Sequence, residues 1–350
     1  MNNIISISDY KLDSENPALI VAELSANHNQ KFELAVETIK AIKESGANAV
    51  KIQTYTPDTI TINSEKKWFQ IKKGTVWDGK TLYELYKEAY TPWEWQPDLQ
   101  NIANDLGLIF FSSPFDLSSV DFLESMNVPA YKVASFEITD IPLIEYIASK
   151  QKPIIISTGI ATFLDIEEAV TACRKLGNNQ IILLKCTSSY PAPLEDANLR
   201  MIPDLKEKFG VEVGLSDHTL GNISAIVAVA LGAKIIEKHF ILDRNLGGPD
   251  SSFSMEPKEF KLMVDSVRDV EKTLGKISYE LSPRIQKSRE FARSLFIVKD
   301  VKTGETITAN NLKSIRPGYG LSPKYLNQVI GKKYKESYSK GTPLNWDMVE

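Results

Sequence analysis

Two histidines mark the place where this sequence could do chemistry. The chain has three in all, and two of them, His218 and His239, each close a strand-like segment, Val211-Glu212-Val213 running into Gly214-Leu215-Ser216-Asp217-His218 and then Lys234 to His239. A single histidine there could do no more than hydrogen-bond locally. A pair ending consecutive strands points to a shared divalent metal, because neutral imidazole is a common ligand of catalytic metals. Two histidines with water and substrate oxygens would leave an open coordination site able to polarise a carbonyl.

Lysines and hydroxyls surround that pair in the sequence order of strand ends. Lys51 lies in Ala49-Val50-Lys51-Ile52-Gln53-Thr54 and Lys132 in Ala130-Tyr131-Lys132-Val133-Ala134. An ammonium inside an apolar strand is unfavourable unless it meets an anion; the alternative for Lys51 is an edge strand with the side chain in solvent. With Ser113, Ser135, Ser157 and Ser216 at neighbouring strand ends, the pattern suits a phosphate or carboxylate ligand. Glu23 and Glu137 are candidate proton-transfer groups, and either could instead serve as fixed partner of Lys51 or Lys132. Asp250, in Gly247-Gly248-Pro249-Asp250, could bind a substrate hydroxyl or be a turn residue. No Walker loop and no glycine-rich dinucleotide fingerprint is present. The residues therefore describe a pocket for phosphate and carboxylate beside a Lewis-acid metal, suited to joining an enol phosphate to an aldehyde.

The elements needed to position these groups alternate regularly. Strand-like runs start at Leu19, Ala49, Leu108, Ala130, Pro153, Ile181, Val211 and Lys234, and they end in Glu23, Gln53, Ser113, Ser135, Ser157, Thr187, Ser216 and His239. Helical patterns follow at Phe32–Glu44, Thr81–Ala89, Trp93–Leu106, Ser118–Met126, Pro142–Ser149, Phe163–Leu176, Ala197–Phe209 and Ile223–Leu231. Eight such units within about 250 residues predict a (β/α)8 TIM barrel. A doubly wound open sheet is the alternative, but it gives no reason for a polar group at every strand end. Between Tyr55 and Trp93 no strand is expected; the stretch carries Lys66, Lys67, Trp68, Lys72, Lys73 and Trp77 and has the length of a binding loop or lid. We expect the barrel over residues 1–276, a linker at 277–289 and a small β-rich domain at 290–350, containing the rigid loop Arg316-Pro317-Gly318-Tyr319-Gly320. A domain of roughly 60 residues is marginal alone and is expected to dock on something.

Composition narrows the class further. The chain has 350 residues, 43% of them hydrophobic and 25% charged, with a net charge of −4 that favours neither nucleic acid nor an anionic membrane. Cys173 and Cys186 are too few for a disulfide framework. Residues 1–9 lack a signal-peptide pattern and no window approaches the ~18 apolar residues of a membrane span. The expectation is a soluble cytoplasmic enzyme.

These motifs together resemble the sialic acid synthase family. The likeness rests on Ala22-Glu23 with Asn27-His28-Asn29, Lys51-Ile52-Gln53, Ser113-Pro114-Phe115, Lys132-Val133-Ala134-Ser135, Ser157-Thr158-Gly159, Gly214 to Thr219 and Glu237-Lys238-His239-Phe240. The C-terminal stretch, including Arg316-Pro317-Gly318, resembles that family's antifreeze-like (SAF) domain. The resemblance implies His218 and His239 as ligands of a divalent metal, Mn2+ first, with Mg2+ or Co2+ as alternatives. It implies that Lys51, Gln53, Ser113, Lys132, Ser135, Ser157, Ser188 and Ser216 hold phosphoenolpyruvate. Glu23 would handle the proton of an attacking water, while Glu137, Tyr190 and Asp250 would meet the acceptor sugar. Arg316 would reach the acceptor in the partner's barrel of a domain-swapped homodimer; an ordinary surface arginine is the other reading.

Two departures from the common family pattern select among acceptors. Members acting on N-acetylmannosamine or the legionaminate precursor usually read Glu-Ile-Gly-x-Asn-His-Asn-Gly, where this chain reads Glu23-Leu24-Ser25-Ala26-Asn27-His28-Asn29-Gln30. They also tend to carry Asn after Cys-Thr, where Ser188 stands here. With Thr91-Pro92-Trp93-Glu94-Trp95, these features resemble the pseudaminate-forming branch, whose acceptor is 2,4-diacetamido-2,4,6-trideoxy-L-altrose. Rival expectations are an N-acetylneuraminate or legionaminate synthase, a metal-dependent pyruvate aldolase, and a sugar- or ice-binding protein without catalysis.

Overall fold

The computed structural model describes residues 4–72, 74 and 76–350. The expected Lys73 therefore lies outside the described residues, as do the first three residues of the N-terminal stretch. The chain divides into two compact units, Met1–Gly275 and Lys276–Glu350.

The first unit opens with a hairpin, β1 (Ile5–Ile7) and β2 (Tyr10–Leu12). Eight parallel strands of the described residues then close into a ring: β3 (Leu19–Glu23), β4 (Ala49–Thr54), β5 (Ile109–Pro114), β6 (Tyr131–Val133), β7 (Ile154–Ser157), β8 (Ile181–Cys186), β9 (Glu212–Asp217) and β10 (Ile235–His239). The last strand pairs with the first, so the ring has no edge and the doubly wound alternative is excluded. Its strands are buried on both faces, which is why they read as continuous apolar runs.

A helix follows each barrel strand at Phe32–Glu44, Gln96–Asp105, Leu117–Ser125, Ile141–Ser149, Phe163–Lys175, Met201–Phe209, Ile223–Ala230 and Pro257–Leu274. Several starts are fixed by side chains in the sequence. Asp116 accepts from the amides of Ser118 and Ser119, and Thr162 with Asp165 forms a reciprocal capping box. The expected helix at 93–106 begins as a single 3-10 turn, Trp93–Trp95, and the one expected from 197 starts at Met201 after a separate turn, Leu194–Asp196. The 55–93 excursion carries the short α-helices Pro57–Ile60 and Leu82–Ala89, the 3-10 turn Lys67–Phe69 and, among the described residues, no strand.

Inside the ring, inward side chains form layers. Leu19, Val21, Ala49, Phe111, Ala130, Ile155, Ile182, Leu184 and Ile235 make one apolar cluster with Ile5, Ile7 and Leu12 of the hairpin. The hairpin thus seals the amino end of the barrel, and burying a side chain of this kind contributes about 1.5–3 kcal/mol. Gly214 lies in that packing. A Cβ there would stand 2.4 Å from the Ile235 carbonyl oxygen and 2.6 Å from Leu184 Cδ2, so only glycine fits. A second apolar cluster, including Ile20, Val50, Phe110 and Val133, joins the outer faces of the strands to the helices.

The second unit has its own core. β11 (Ser294–Ile297) pairs antiparallel with β12 (Leu312–Ile315), and Leu295, Ile297, Val301, Ile307, Leu312, Val329, Tyr334 and Leu344 pack together. Short helices occupy Pro283–Ser288, within the stretch expected to be a plain connector, and Leu326–Val329. The first is started by Ser282, which accepts from the Ile285 amide, with proline following it.

Candidate active site

Two residues beyond the apolar layer, the same strands present a different set of side chains. β3 gives Glu23, β4 Lys51, β5 Ser113, β6 Lys132, β7 Ser157, β8 Cys186, β9 Ser216 and β10 Glu237. All eight are buried. Lys51 is therefore an interior lysine and not an edge residue in solvent.

These groups form a connected cage. Lys51 Nζ lies 2.6 Å from Glu23 Oε2 and 3.4 Å from Glu237 Oε1, and it donates to Ser113 Oγ at 3.3 Å. Register explains the first contact, since Glu23 and Lys51 are direct neighbours across the β3–β4 ladder. Lys132 Nζ donates to Ser157 Oγ at 2.7 Å and lies 4.0 Å from Glu237 Oε1. Ser216 donates to Glu237 at 3.0 Å. Glu23 is thus paired with Lys51 through Oε2 while its Oε1 stays open, and Glu237, not Glu137, stands between the two lysines.

Electrostatics divides the four charged groups unequally. Burial would raise Glu237, but the Lys132 and Lys51 ammoniums outweigh it and hold its carboxyl below the usual range. Burial lowers Lys51, and Glu23 with Glu237 more than restores it, leaving its pKa raised. Lys132 stays lowered, because desolvation exceeds the pull of Glu237. Glu23 is pushed up to about 7 by burial, against the attraction of Lys51. Glu137, on the single turn Ser135–Glu137 after β6, is also raised to about 7, chiefly by burial. Glu23 Oε1, Glu137 Oε2 and Glu237 Oε2 are buried without a hydrogen-bond partner. Buried polar atoms are rarely left so, and together they point to a ligand or water in this space.

Hydroxyls cluster beside the lysines. Ser188 donates to Ser135 Oγ at 2.8 Å, and the Ile160 amide donates to the same oxygen at 3.1 Å. A Cβ on Gly159 would lie 2.2 Å from Ser188 Oγ and 2.6 Å from Ser135 Oγ. Glycine therefore keeps open a cradle of hydroxyl and amide donors next to Lys132, the kind of surface an anion occupies.

The histidine pair sits at the rim. The His218 and His239 ring centroids are 5.4 Å apart, and both rings are buried. His218 Nδ1 donates to the Thr187 carbonyl at 2.9 Å, so in the neutral ring the lone pair is on Nε2. Burial lowers His218, but Cys186 and the Thr187 carbonyl bring its pKa above the usual value. His239 lies well below its usual value, through burial and then the repulsion of His218. Its Nδ1 has no hydrogen-bond partner and lies 3.6 Å from Asp250 Oδ2. No three His, Cys, Asp or Glu groups converge as a closed metal site among the described residues. A neutral imidazole, a free lone pair and an orphaned ring nitrogen fit an open divalent site completed by substrate or water.

Behind the rim, Lys238 and Asp217 form a wholly buried ion pair at 2.6 Å on the outward faces of β10 and β9, and Lys238 also donates to the Thr219 carbonyl. This pair ties together the two strand ends that carry the histidines. Tyr190 lies 4.3 Å from the His218 ring, and Phe253 lies 5.0 Å from that of His239. The Trp77 ring reaches Tyr190 at 5.6 Å, and its indole N–H donates to the Pro249 carbonyl at 2.8 Å. Gln53 donates to Ser25 Oγ at 3.0 Å.

The structure thus brings the predicted barrel residues to one mouth. Arg316 belongs to the second unit, where it is exposed. Sequence reasoning missed Glu237, Phe253 and Ser25 as site residues. Glu237 was within reach: it shares the inward parity of His239 two positions on, as Lys51 does with Gln53.

The profile of the NeuB family matches residues 38–279, and that of the SAF domain matches residues 292–350. The chain belongs to the NeuB family. It is 50% identical over 335 residues to a pseudaminic acid synthase of Helicobacter pylori, covering 95% of this chain and 98% of that protein. It is 38% identical to an N,N'-diacetyllegionaminic acid synthase of Legionella pneumophila, over 96% of each. Among solved structures, an N-acetylneuraminic acid synthetase of Leptospira borgpetersenii in complex with citrate superimposes with a TM-score of 0.73 at 33% identity, covering 82% of this chain and 95% of that one. The barrel followed by a SAF domain, expected from sequence, is what this chain has.

Proposed function

We propose that this protein is a pseudaminic acid synthase. It joins phosphoenolpyruvate to 2,4-diacetamido-2,4,6-trideoxy-L-altrose and releases phosphate. The observation that carries the reading is the cage at the barrel mouth. Two interior lysines and a hydroxyl–amide cradle stand ready for an enol phosphate, beside two unclosed imidazoles. The likeness to pseudaminic acid synthases at 47–50% identity, against 37–38% for legionaminate synthases, supports this acceptor over its rival.

Lys51 and Lys132 hold the phosphate and carboxylate of phosphoenolpyruvate, with Ser113, Ser135, Ser157, Ser188 and Ser216 donating and Gln53 lining the pocket. Glu237 keeps both ammoniums charged and in place. C3 of the enol phosphate attacks the open-chain aldehyde, which Glu137, Tyr190 and Asp250 orient. Water then adds at C2, and Glu23 takes its proton at Oε1, where a pKa near 7 allows both uptake and release. The tetrahedral carbon expels phosphate by C–O cleavage, and the nine-carbon keto acid closes to a ring. His218 and His239 would hold a divalent cation, Mn2+ first with Mg2+ or Co2+ as alternatives, which when bound polarises the aldehyde oxygen. Arg316 of a partner subunit would complete the acceptor site in a domain-swapped homodimer.

The test is phosphate release from phosphoenolpyruvate with Mn2+ and each of three acceptors: the altrose sugar, N-acetylmannosamine and the legionaminate precursor. Release with the altrose sugar alone is expected. Release with another sugar alone moves the protein to that branch, and release with none overturns the synthase reading.

A further inference from the structure

The 55–93 excursion supplies none of the groups assigned to catalysis, yet it ends against the loops that meet the acceptor. Its base is fixed to the loop after β3. Gln30 Nε2 donates to the Tyr90 carbonyl at 2.5 Å and to that of Glu88 at 3.1 Å. His28 Nδ1 accepts from the Gln30 amide at 3.1 Å, so its Nε2 bears the proton and donates to Thr91 Oγ1 at 3.2 Å. The outer turn of the excursion closes on itself, with the Ile71 amide donating to the Lys80 carbonyl at 2.9 Å and the Gly79 amide to that of Ile71 at 3.1 Å. That turn carries Trp77.

Trp77 touches two loops at once. Its indole N–H donates to the Pro249 carbonyl at 2.8 Å, one residue before Asp250 in the loop after β10. Its ring lies 5.6 Å from that of Tyr190, in the loop after β8. Tyr190 in turn lies 4.3 Å from His218 and 5.1 Å from Phe253, and Phe253 lies 5.0 Å from His239. An unbroken aromatic row therefore leads from the excursion to the histidine pair. A staple for the excursion alone could sit anywhere along the barrel rim. This one sits between the loops of Tyr190 and Asp250.

We propose that Trp77 is a specificity-determining residue for the acceptor. It clasps those two loops together and completes an aromatic rim for the methyl groups of an acetamido-deoxy sugar. This rests on the synthase reading above. A 2,4-diacetamido-2,4,6-trideoxy sugar carries a methyl on each acetamide and another at C6, and aromatic faces suit apolar groups of that kind. The phosphoenolpyruvate cage lies on the strands themselves, so the two substrates should feel the loss of the indole unequally.

Trp77→Ala removes both ring and donor, whereas Trp77→Phe keeps a ring beside Tyr190 and removes the donor. The expected result is an acceptor KM raised about tenfold in Trp77→Ala and about threefold in Trp77→Phe. The phosphoenolpyruvate Kd, read by calorimetry without acceptor, should be unchanged in both. Fluorescence supplies a readout that a purely structural role would not move. With Mg2+ and inorganic phosphate, which allow no turnover, the altrose sugar should shift the tryptophan emission of the parent, and Trp77→Phe should lose that shift. An unchanged acceptor KM in Trp77→Ala overturns the proposal, as does a matching rise in the phosphoenolpyruvate Kd. So does an emission shift that is absent from the parent or survives in Trp77→Phe. A parent that shows the shift yet releases no phosphate with any of the three sugars would sink the synthase reading and leave the Trp77 clasp standing.

Discussion

Two adjacent layers of one barrel differ in almost everything except the strands that build them. The inner layer, Val21, Ala49, Phe111, Ala130, Ile155, Leu184, Gly214 and Ile235, is apolar and sealed from below by the hairpin. Two residues further along each strand, Glu23, Lys51, Ser113, Lys132, Ser157, Cys186, Ser216 and Glu237 form the cage. The apolar layer gains stability from burial and is indifferent to substrate. The polar layer sacrifices solvation of four charges, which neutralise one another only in pairs, and that arrangement weakens stability while preparing a place for anions. Burial lowers the local dielectric around the cage and keeps its fields strong.

Substitutions in the two layers should accordingly fail in different ways. The largest expected effect is Lys51→Met, which leaves Glu23 and Glu237 without their shared cation. We expect kcat/KM for phosphate release to fall by about a thousandfold, with a lower melting temperature that Glu23→Gln in the same chain partly restores without restoring turnover. Phe111→Ala, one layer below, should lose about 3–5 kcal/mol of stability in denaturant unfolding while both KM values stay near the parent's. Equal loss of activity in both variants would erase the distinction between the layers.

Glu137 gives a smaller effect of defined sign. Burial raises its pKa from 4.5 to about 7, so the folded chain favours the protonated form. Its stabilising share is complete below pH 4.5 and disappears as the pH climbs through 7, amounting to at most about 3 kcal/mol. Denaturant titrations across that window should show a flatter pH dependence for Glu137→Gln than for the parent, and identical slopes would refute the assignment. The smallest effect concerns the histidines. Mn2+ at a hundredfold excess over its Kd should stabilise the parent by about 2.7 kcal/mol, and a His218→Ala/His239→Ala chain should show no such thermal shift.

The barrel was legible because fully buried parallel strands are written as unbroken apolar runs, and polar residues punctuate them at one end only. Glu23, Lys51, Lys132, His218 and His239 stood out as groups whose burial needed a reason. Glu237 did not, since its motif drew notice to the histidine after it. The hairpin at Ile5–Leu12 escaped because strands of three residues carry too little alternation to read. The Pro283–Ser288 helix escaped although Ser282 and Pro283 are start signals, because six residues hold too short a stretch for an apolar period. Phe253 and Ser25 enter the site through loops, whose paths depend on contacts remote in sequence.

Closure of the ring also governs how the chain must be made. Leu19 meets Ile235 directly, so the first barrel strand stays half-paired until almost the whole first unit has left the ribosome. Pairings between such distant segments are slow to form, and a nascent chain of this kind carries exposed strand edges while it waits. The amino-terminal hairpin, with Ile7 and Leu12 packed on the barrel floor, likewise finds its full set of neighbours only once the ring has closed.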